Sequence, residues 1–239
     1  MSIAHLLIDR GNSQIKAVWY TVKQCRTWQA DQIQEILAVL PPQPPDAIWI
    51  ADVTHLDQQQ ALQDTLTQHY QAPIYPIRVA HYQHHLPTRY AVDQLGVDRW
   101  LAMLACYQRS QGSCLVVDCG TAATFDWVDR TGTHQGGYIL PGVHLMQQSL
   151  WQNTAIPACQ SGQTIPQLAR DTATAITQGS HQALVSLMQH MLQEMPHPTT
   201  LCIGGGDSRA LLPYLTMPYI WVPDMVIQGL IYLANLEQP

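Results

Sequence analysis

The stretch LVVDCGTAATFDWV at residues 115–128 decides how the remainder of the chain is read. A short apolar run ends in Asp118, the chain turns through Gly120 and Thr121, and a second, alternating run follows. That order predicts strand, tight turn, strand. The turn is built of small residues (Gly120, Thr121, Ala122, Ala123, Thr124), so backbone N–H groups and two hydroxyls lie bare beside a carboxylate. A turn of this kind accepts a phosphate, and the carboxylate attracts the phosphate's metal ion or a monovalent cation.

The same pattern stands near the N-terminus. LLIDRGNSQIKAVW at residues 6–19 has an apolar run ending in Asp9, then Gly11, the polar Asn12 and Ser13, and an alternating run that carries Lys16. Taken alone, Asp-Arg-Gly-Asn is an ordinary hairpin turn. Asp9 and Asp118 stand close to half of the 239-residue chain apart, however, and that spacing predicts an internal duplication. Two such units facing each other could hold a triphosphate. The polar stretch 108–113 marks the expected boundary, giving domains 1–108 and 109–239.

Composition narrows the partners. Charged residues make up 12% of the chain, against roughly 25% in ordinary soluble domains. A net charge of −6 with 11 Lys and Arg, none clustered, excludes nucleic acid and anionic membrane as main partners. No apolar run reaches the roughly 18 residues of a membrane span, and the N-terminus lacks a signal-peptide pattern, so a cytoplasmic protein is expected. Six scattered cysteines without a Cys-x-x-Cys pair predict buried free thiols. His81, His84 and His85 have no metal-ligand partner at a recognised spacing, which predicts a solvated turn.

Helical spacing is present at 29–40 and 56–70, and strands are expected at 47–51 and 74–79, with four prolines between 41 and 45 as a stiff connector. LGVDRW at 95–100 opens a helix that runs through 107. There Asp98 is either an N-cap with Arg99 solvated, or a rigidly held carboxylate beside a guanidinium able to bind a substrate carboxylate. GGYILPG at 136–142 reads as a strand ending in a turn, followed by a helix at 143–150 and a loop at 153–164. A long helix opens at Asp171, and its stripe of Leu184, Leu187, Met188, Met191, Leu192 and Met195 is core or a dimer face. A strand at 199–203 leads into Gly204, Gly205, Gly206 and Asp207, and a final helix covers 223–236. The glycine run is neither a Walker loop nor a dinucleotide fingerprint, but a flat adenine can lie against it. Strands alternating with helices make the chain α/β.

Six stretches in order, DRGNSQIK, LGVDRW, VDCGTAATFD, GGYILPG, DTATAITQG and IGGG, resemble the type III pantothenate kinases of the actin and sugar-kinase superfamily. The resemblance implies two duplicated RNase H-like (actin-like ATPase) domains with a nucleotide cleft between them, a homodimer, and ATP-dependent phosphorylation of pantothenate at the start of coenzyme A synthesis. By the same resemblance Asp9, Gly11, Asn12, Ser13 and Lys16 form the first phosphate loop, Gly120 and Thr121 the second, and Gly204 and Gly205 the adenosine side. Asp118 is the expected ligand of a monovalent cation (K⁺ or NH₄⁺), and Asp9 binds Mg²⁺ directly or through water. Asp98 matches the general base. Tyr90, Gly96, Val97, Arg99 and Thr172 match the pantothenate contacts, with Arg99 on the carboxylate. Ser13 stands where the family usually has threonine, and the segment Tyr90 to Gln94 lacks the proline expected there. Two alternatives share the phosphate turns: a kinase for another small hydroxylated substrate, and a non-enzymatic ATP-binding regulatory protein.

Overall fold

The computed structural model describes residues 3–156 and 168–237. In chain order it contains β1 (Ala4–Arg10), β2 (Ile15–Thr21), β3 (Gln24–Ala30), α1 (Ile33–Leu37), β4 (Ala47–Asp52), α2 (Leu56–His69), β5 (Ile74–Pro76), α3 (Val79–Tyr82) and α4 (Val97–Ser110). There follow β6 (Cys114–Cys119), β7 (Ala122–Val128), β8 (His134–Pro141), α5 (Val143–Asn153), α6 (Thr172–Glu194), β9 (Thr200–Gly204), α7 (Ser208–Leu211), β10 (Tyr219–Trp221) and α8 (Met225–Leu236).

Two five-stranded sheets share one topology. The first has the order β3-β2-β1-β4-β5, the second β10-β9-β6-β7-β8. Read from its other edge, the second repeats the first. In each, the opening strand (β1, β6) pairs antiparallel with the next (β2, β7) and parallel with the strand after the crossover (β4, β9). The outer strands follow suit, β3 and β8 antiparallel, β5 and β10 parallel. The duplication suspected from the two Asp-turn stretches is therefore present as repeated topology.

The central strands are apolar because both their faces are covered. Leu6, Leu7 and Ile8 are wholly buried on β1, as are Leu115 and Val117 on β6, and full burial of such a side chain is worth about 1.5–3 kcal/mol. One core joins β1, β2 and β4 to α1 and α2 through Trp19, Ile36, Leu62 and Leu66. The other joins β6, β7 and β9 to α6 through Phe125, Leu184, Met188 and Met191. The α6 stripe thus lies in the core: Leu184, Met188, Met191 and Met195 are buried, and Leu187 and Leu192 pack against them.

The chain separates into two compact units, one of 1–86, 91–105 and 226–239, the other of 87–90 and 106–225. The sequence boundary at 108 had assigned the last helix to the second half. In the structure α8 packs on α4, and Gly229 permits this: a Cβ there would stand 2.3 Å from the Leu101 carbonyl oxygen.

Local departures from expectation have local causes. Residues 24–30 form β3, an exposed edge strand, so the helix expected from 29 starts at Ile33. The strand expected over 74–79 stops at Pro76 and the chain enters α3. The helix expected over 143–150 runs on to Asn153, so the loop expected over 153–164 begins at 154, and from 157 onward it lies outside the described residues. Cys25 is exposed, while Cys106, Cys114, Cys119 and Cys202 are the buried free thiols expected; Cys159 lies outside the described residues.

Candidate active site

In the first unit Asp9 stands near the carboxyl end of β1, directly opposite Lys16 on β2. Directly opposed residues of an antiparallel pair share a face, so the acid and the amine project together. Gly11, Asn12, Ser13 and Gln14 close the turn with Gly11 N donating to Gln14 O at 3.1 Å, and Asn12 and Ser13 are exposed. On the other side of β1 the register sets Arg10 beside Asp52 of β4. The Arg10 guanidinium lies 3.7 Å from the Asp52 carboxylate and donates to the Gln58 carbonyl at 2.9 Å. The other Asp52 oxygen accepts from the Thr54 amide (2.9 Å) and hydroxyl (2.6 Å). Neither Arg10 nor Asp52 was assigned a role from the sequence.

A cavity of about 400 Å³ opens at the carboxyl ends of β4 and β5, lined among others by Asp52, Arg78, Asp93, Gly96 and Val97. It meets the start of α4. Here Asp98 is the second residue of the helix, not its cap, and its Oδ1 accepts from the Arg99 amide at 2.7 Å. A Cβ on Gly96 would stand 2.5 Å from that same oxygen, so glycine at 96 leaves the carboxylate its place. Arg99 is 7% exposed, so the solvated alternative does not hold, and a buried cation is retained for a partner. Trp100 anchors the helix, wholly buried and donating through Nε1 to Leu86 O at 3.0 Å.

In the second unit Asp118 occupies on β6 the place of Asp9 on β1. The turn after it is shorter: Gly120 N donates to Ala122 O at 3.1 Å, and Gly142 N donates to Thr121 O at 2.9 Å. Folding brings the distant glycine run onto Asp118. Gly205 has φ +87°, and a Cβ there would lie 2.3 Å from Asp118 Oδ1 and 2.5 Å from Cys119 O. Gly204 serves packing, since its Cβ would strike Val222 O at 2.2 Å; Gly206 has open space around it. Asp207, to which the sequence assigned no role, is tied in by its amide, which donates to Cys119 O at 2.9 Å. Burial raises the Asp207 carboxyl above its ordinary range, against the pull of His144 and His181. Burial, with the Asp118 and Asp207 charges beside it, pushes the Cys119 thiol up as well.

Thr172 is exposed at the first turn of α6, whose cap is Asp171, accepting from the Thr174 amide at 2.9 Å. Tyr90 belongs to the second unit, in a short segment held against the start of β8. The histidine turn is corrected in part: His85 Nε2 is 2.7 Å and His84 Nε2 3.8 Å from Glu237 Oε1. These three are the one trio among the described residues whose ligand atoms come close enough to share an ion. No helix among the described residues is long and apolar enough to cross a membrane.

Duplicated sheets of this topology, each ending a central strand in an Asp-turn, define the actin-like ATPase fold. The comparisons agree with that class. A Campylobacter jejuni structure described as a conserved Baf family transcriptional activator superposes with a TM-score of 0.65 at 20% identity, covering 97% of this chain and 98% of that one. MreB 5 of Spiroplasma citri bound to AMPPNP superposes with 0.50 at 7% identity, covering 98% and 96%. Both are likenesses of fold. At the level of sequence, the type III pantothenate kinase family profile matches residues 5–194. The type III pantothenate kinase of Alkalilimnicola ehrlichii is 31% identical over 242 residues, covering 96% of this chain and 97% of that one. The chain belongs to the type III pantothenate kinase family and is a kinase.

Proposed function

We propose that the chain transfers the γ-phosphoryl group of ATP to the primary hydroxyl of pantothenate, giving 4′-phosphopantothenate. The observation that carries this reading is the repeated Asp-turn, Asp9 on β1 and Asp118 on β6, at equivalent places in two sheets of one topology.

Phosphoryl transfer needs positioning and charge neutralisation more than covalent chemistry. Gly11 and Gly120 shape the two turns, whose following residues Asn12, Ser13 and Thr121 receive the phosphates, with Lys16 opposite Asp9 as the cation. Gly205 borders the adenosine side. Asp9 would hold Mg²⁺, directly or through water. Asp118 would hold K⁺ or NH₄⁺, since a carboxylate is a hard oxygen donor of the kind such ions take. Such ions, when bound, neutralise the phosphate charge. Asp98 accepts the proton of the attacking hydroxyl, and Arg99 orients the substrate carboxylate by a charge-assisted fork. Gly96, Val97, Tyr90 and Thr172 complete the acceptor contacts. The enzyme works in the cytoplasm as a homodimer.

The test is ADP release from purified protein with ATP and Mg²⁺, with and without pantothenate, in K⁺ and in Na⁺. Pantothenate-dependent release that needs K⁺ is expected. Release that ignores pantothenate would overturn the acceptor, and equal rates in both salts would overturn the role of Asp118.

A further inference from the structure

The mechanism leaves unused a buried acid and imidazole in the second unit. Asp126 is 1% exposed and His134 is wholly buried. His134 Nε2 lies 3.0 Å from Asp126 Oδ1, and His134 Nδ1 lies 2.8 Å from Thr88 Oγ1. Thr88 Oγ1 also accepts from the Tyr90 amide at 2.9 Å. Space for the acid is provided by Gly137, whose Cβ would stand 2.6 Å from Asp126 Oδ1. The backbone runs in parallel with this chain of side chains: His134 N donates to Pro87 O at 2.8 Å, and Arg89 N donates to His134 O at 3.0 Å. The Tyr90 ring stacks on the imidazole, 6.1 Å between centroids and 22° between planes.

Hydrogen-bond supply assigns the protons. The Asp126 carboxylate only accepts, so Nε2–H donates to it; in that tautomer Nδ1 accepts from the Thr88 hydroxyl, whose oxygen in turn accepts from the Tyr90 amide. With both ring nitrogens engaged, the imidazole cannot turn, and the tyrosine stacked on it is held in one orientation. A buried polar chain satisfied at every link rigidifies what it touches.

We propose that Asp126, His134 and Thr88 are positioning residues for the acceptor substrate, acting through Tyr90. The proposal rests on the reading of Tyr90 as a pantothenate contact. Thr88 is the residue to change, since it is half-buried and Thr88→Val keeps its shape while removing both hydroxyl bonds. The expected result is a rise in the pantothenate KM of about tenfold, what the loss of one or two hydrogen bonds of about 1 kcal/mol gives. The KM for ATP and kcat should stay within about twofold. Thr88→Ser should restore the wild-type value.

Tyr90→Ala separates the two layers. If Tyr90→Ala raises the pantothenate KM but Thr88→Val does not, the positioning chain is overturned and the contact stands. If Tyr90→Ala leaves that KM unchanged, the contact itself fails and the proposal with it. Should Thr88→Val also lower Tm, the double variant decides: action through Tyr90 requires that Thr88→Val add nothing in the Tyr90→Ala background, whereas a merely structural effect adds in full.

Discussion

Gly205→Ala puts the second phosphate turn under the most direct test. At φ +87° an L side chain is strained by about 1–2 kcal/mol before any contact is counted. The added Cβ would also lie 2.3 Å from Asp118 Oδ1, 2.5 Å from Cys119 O and 2.6 Å from Cys119 C. The first of these is the tip of a side chain and can swing away; the other two are backbone of a central strand and cannot. Overpacking of that kind costs about 1–3 kcal/mol, so the total is about 2–5 kcal/mol. For a chain of this size each kcal/mol moves Tm by about 2–4 °C, so a fall of at least about 4 °C is expected by circular dichroism. The displaced carboxylate should also weaken the response of ADP release to K⁺. Gly206→Ala, one residue on and with nothing within 4 Å of its Cβ, should change neither. Equal melting of the two variants, with K⁺ response intact in both, would refute the close approach of the glycine turn to Asp118.

Asp98→Asn should lower kcat by at least about 100-fold while ATP binding by calorimetry persists; turnover at the wild-type rate would remove Asp98 as the base. Gly96→Ala should lower kcat with little change in Tm, because the atom it strikes, Asp98 Oδ1, can rotate away; an unchanged kcat would show that the carboxylate's place is immaterial. Burial holds His5 and His181 below the usual histidine range, against the pull of Asp46 and Asp207 respectively. The unfolded chain therefore takes up these protons near pH 6.5 while the folded chain does not, so stability should fall as pH drops below about 6.5 and level off below the folded values. Urea unfolding at pH 7.5 and 5.5 should show that loss, smaller in His181→Gln; the same slope in both would contradict it. Iodoacetamide mapping should label exposed Cys25 quickly and leave Cys106, Cys114, Cys119 and Cys202 unmodified in the native protein.

Both Asp-turn hairpins, α4, α6 and the strands beneath them were legible because each is decided locally. Burial on both faces writes a continuous apolar run, and a turn of glycine and small residues ends it. Strand β3 was not legible for the opposite reason. QCRTWQA has a partner along one side only, and most of it is exposed, so its side chains record no burial pattern. The placements that build the site are non-local. Gly205 meets Asp118 across a crossover, Arg10 meets Asp52 through a parallel register, and Glu237 reaches His85 from beyond α8. Asp207 could have been suspected, since an acid directly after a glycine run at a strand end is well placed for a bound cation. Nothing in its own neighbourhood says which strand it will face.

The repeated frame carries two turns that differ at one position of the neighbouring strand. Asp9 pairs in register with Ala51, and the next position on that strand is Asp52; Asp118 pairs with Gly204, and the next position is Gly205. In the first copy that position carries an acid answered by Arg10. In the second it carries a glycine that lets the backbone close directly over the Asp118 carboxylate. The turns differ in the same direction, four residues from Gly11 to Gln14 in the first and two, Gly120 and Thr121, in the second. The topology therefore supplies two Asp-turns of one design, and the residue after the paired position on the neighbouring strand sets how closely the backbone approaches the carboxylate.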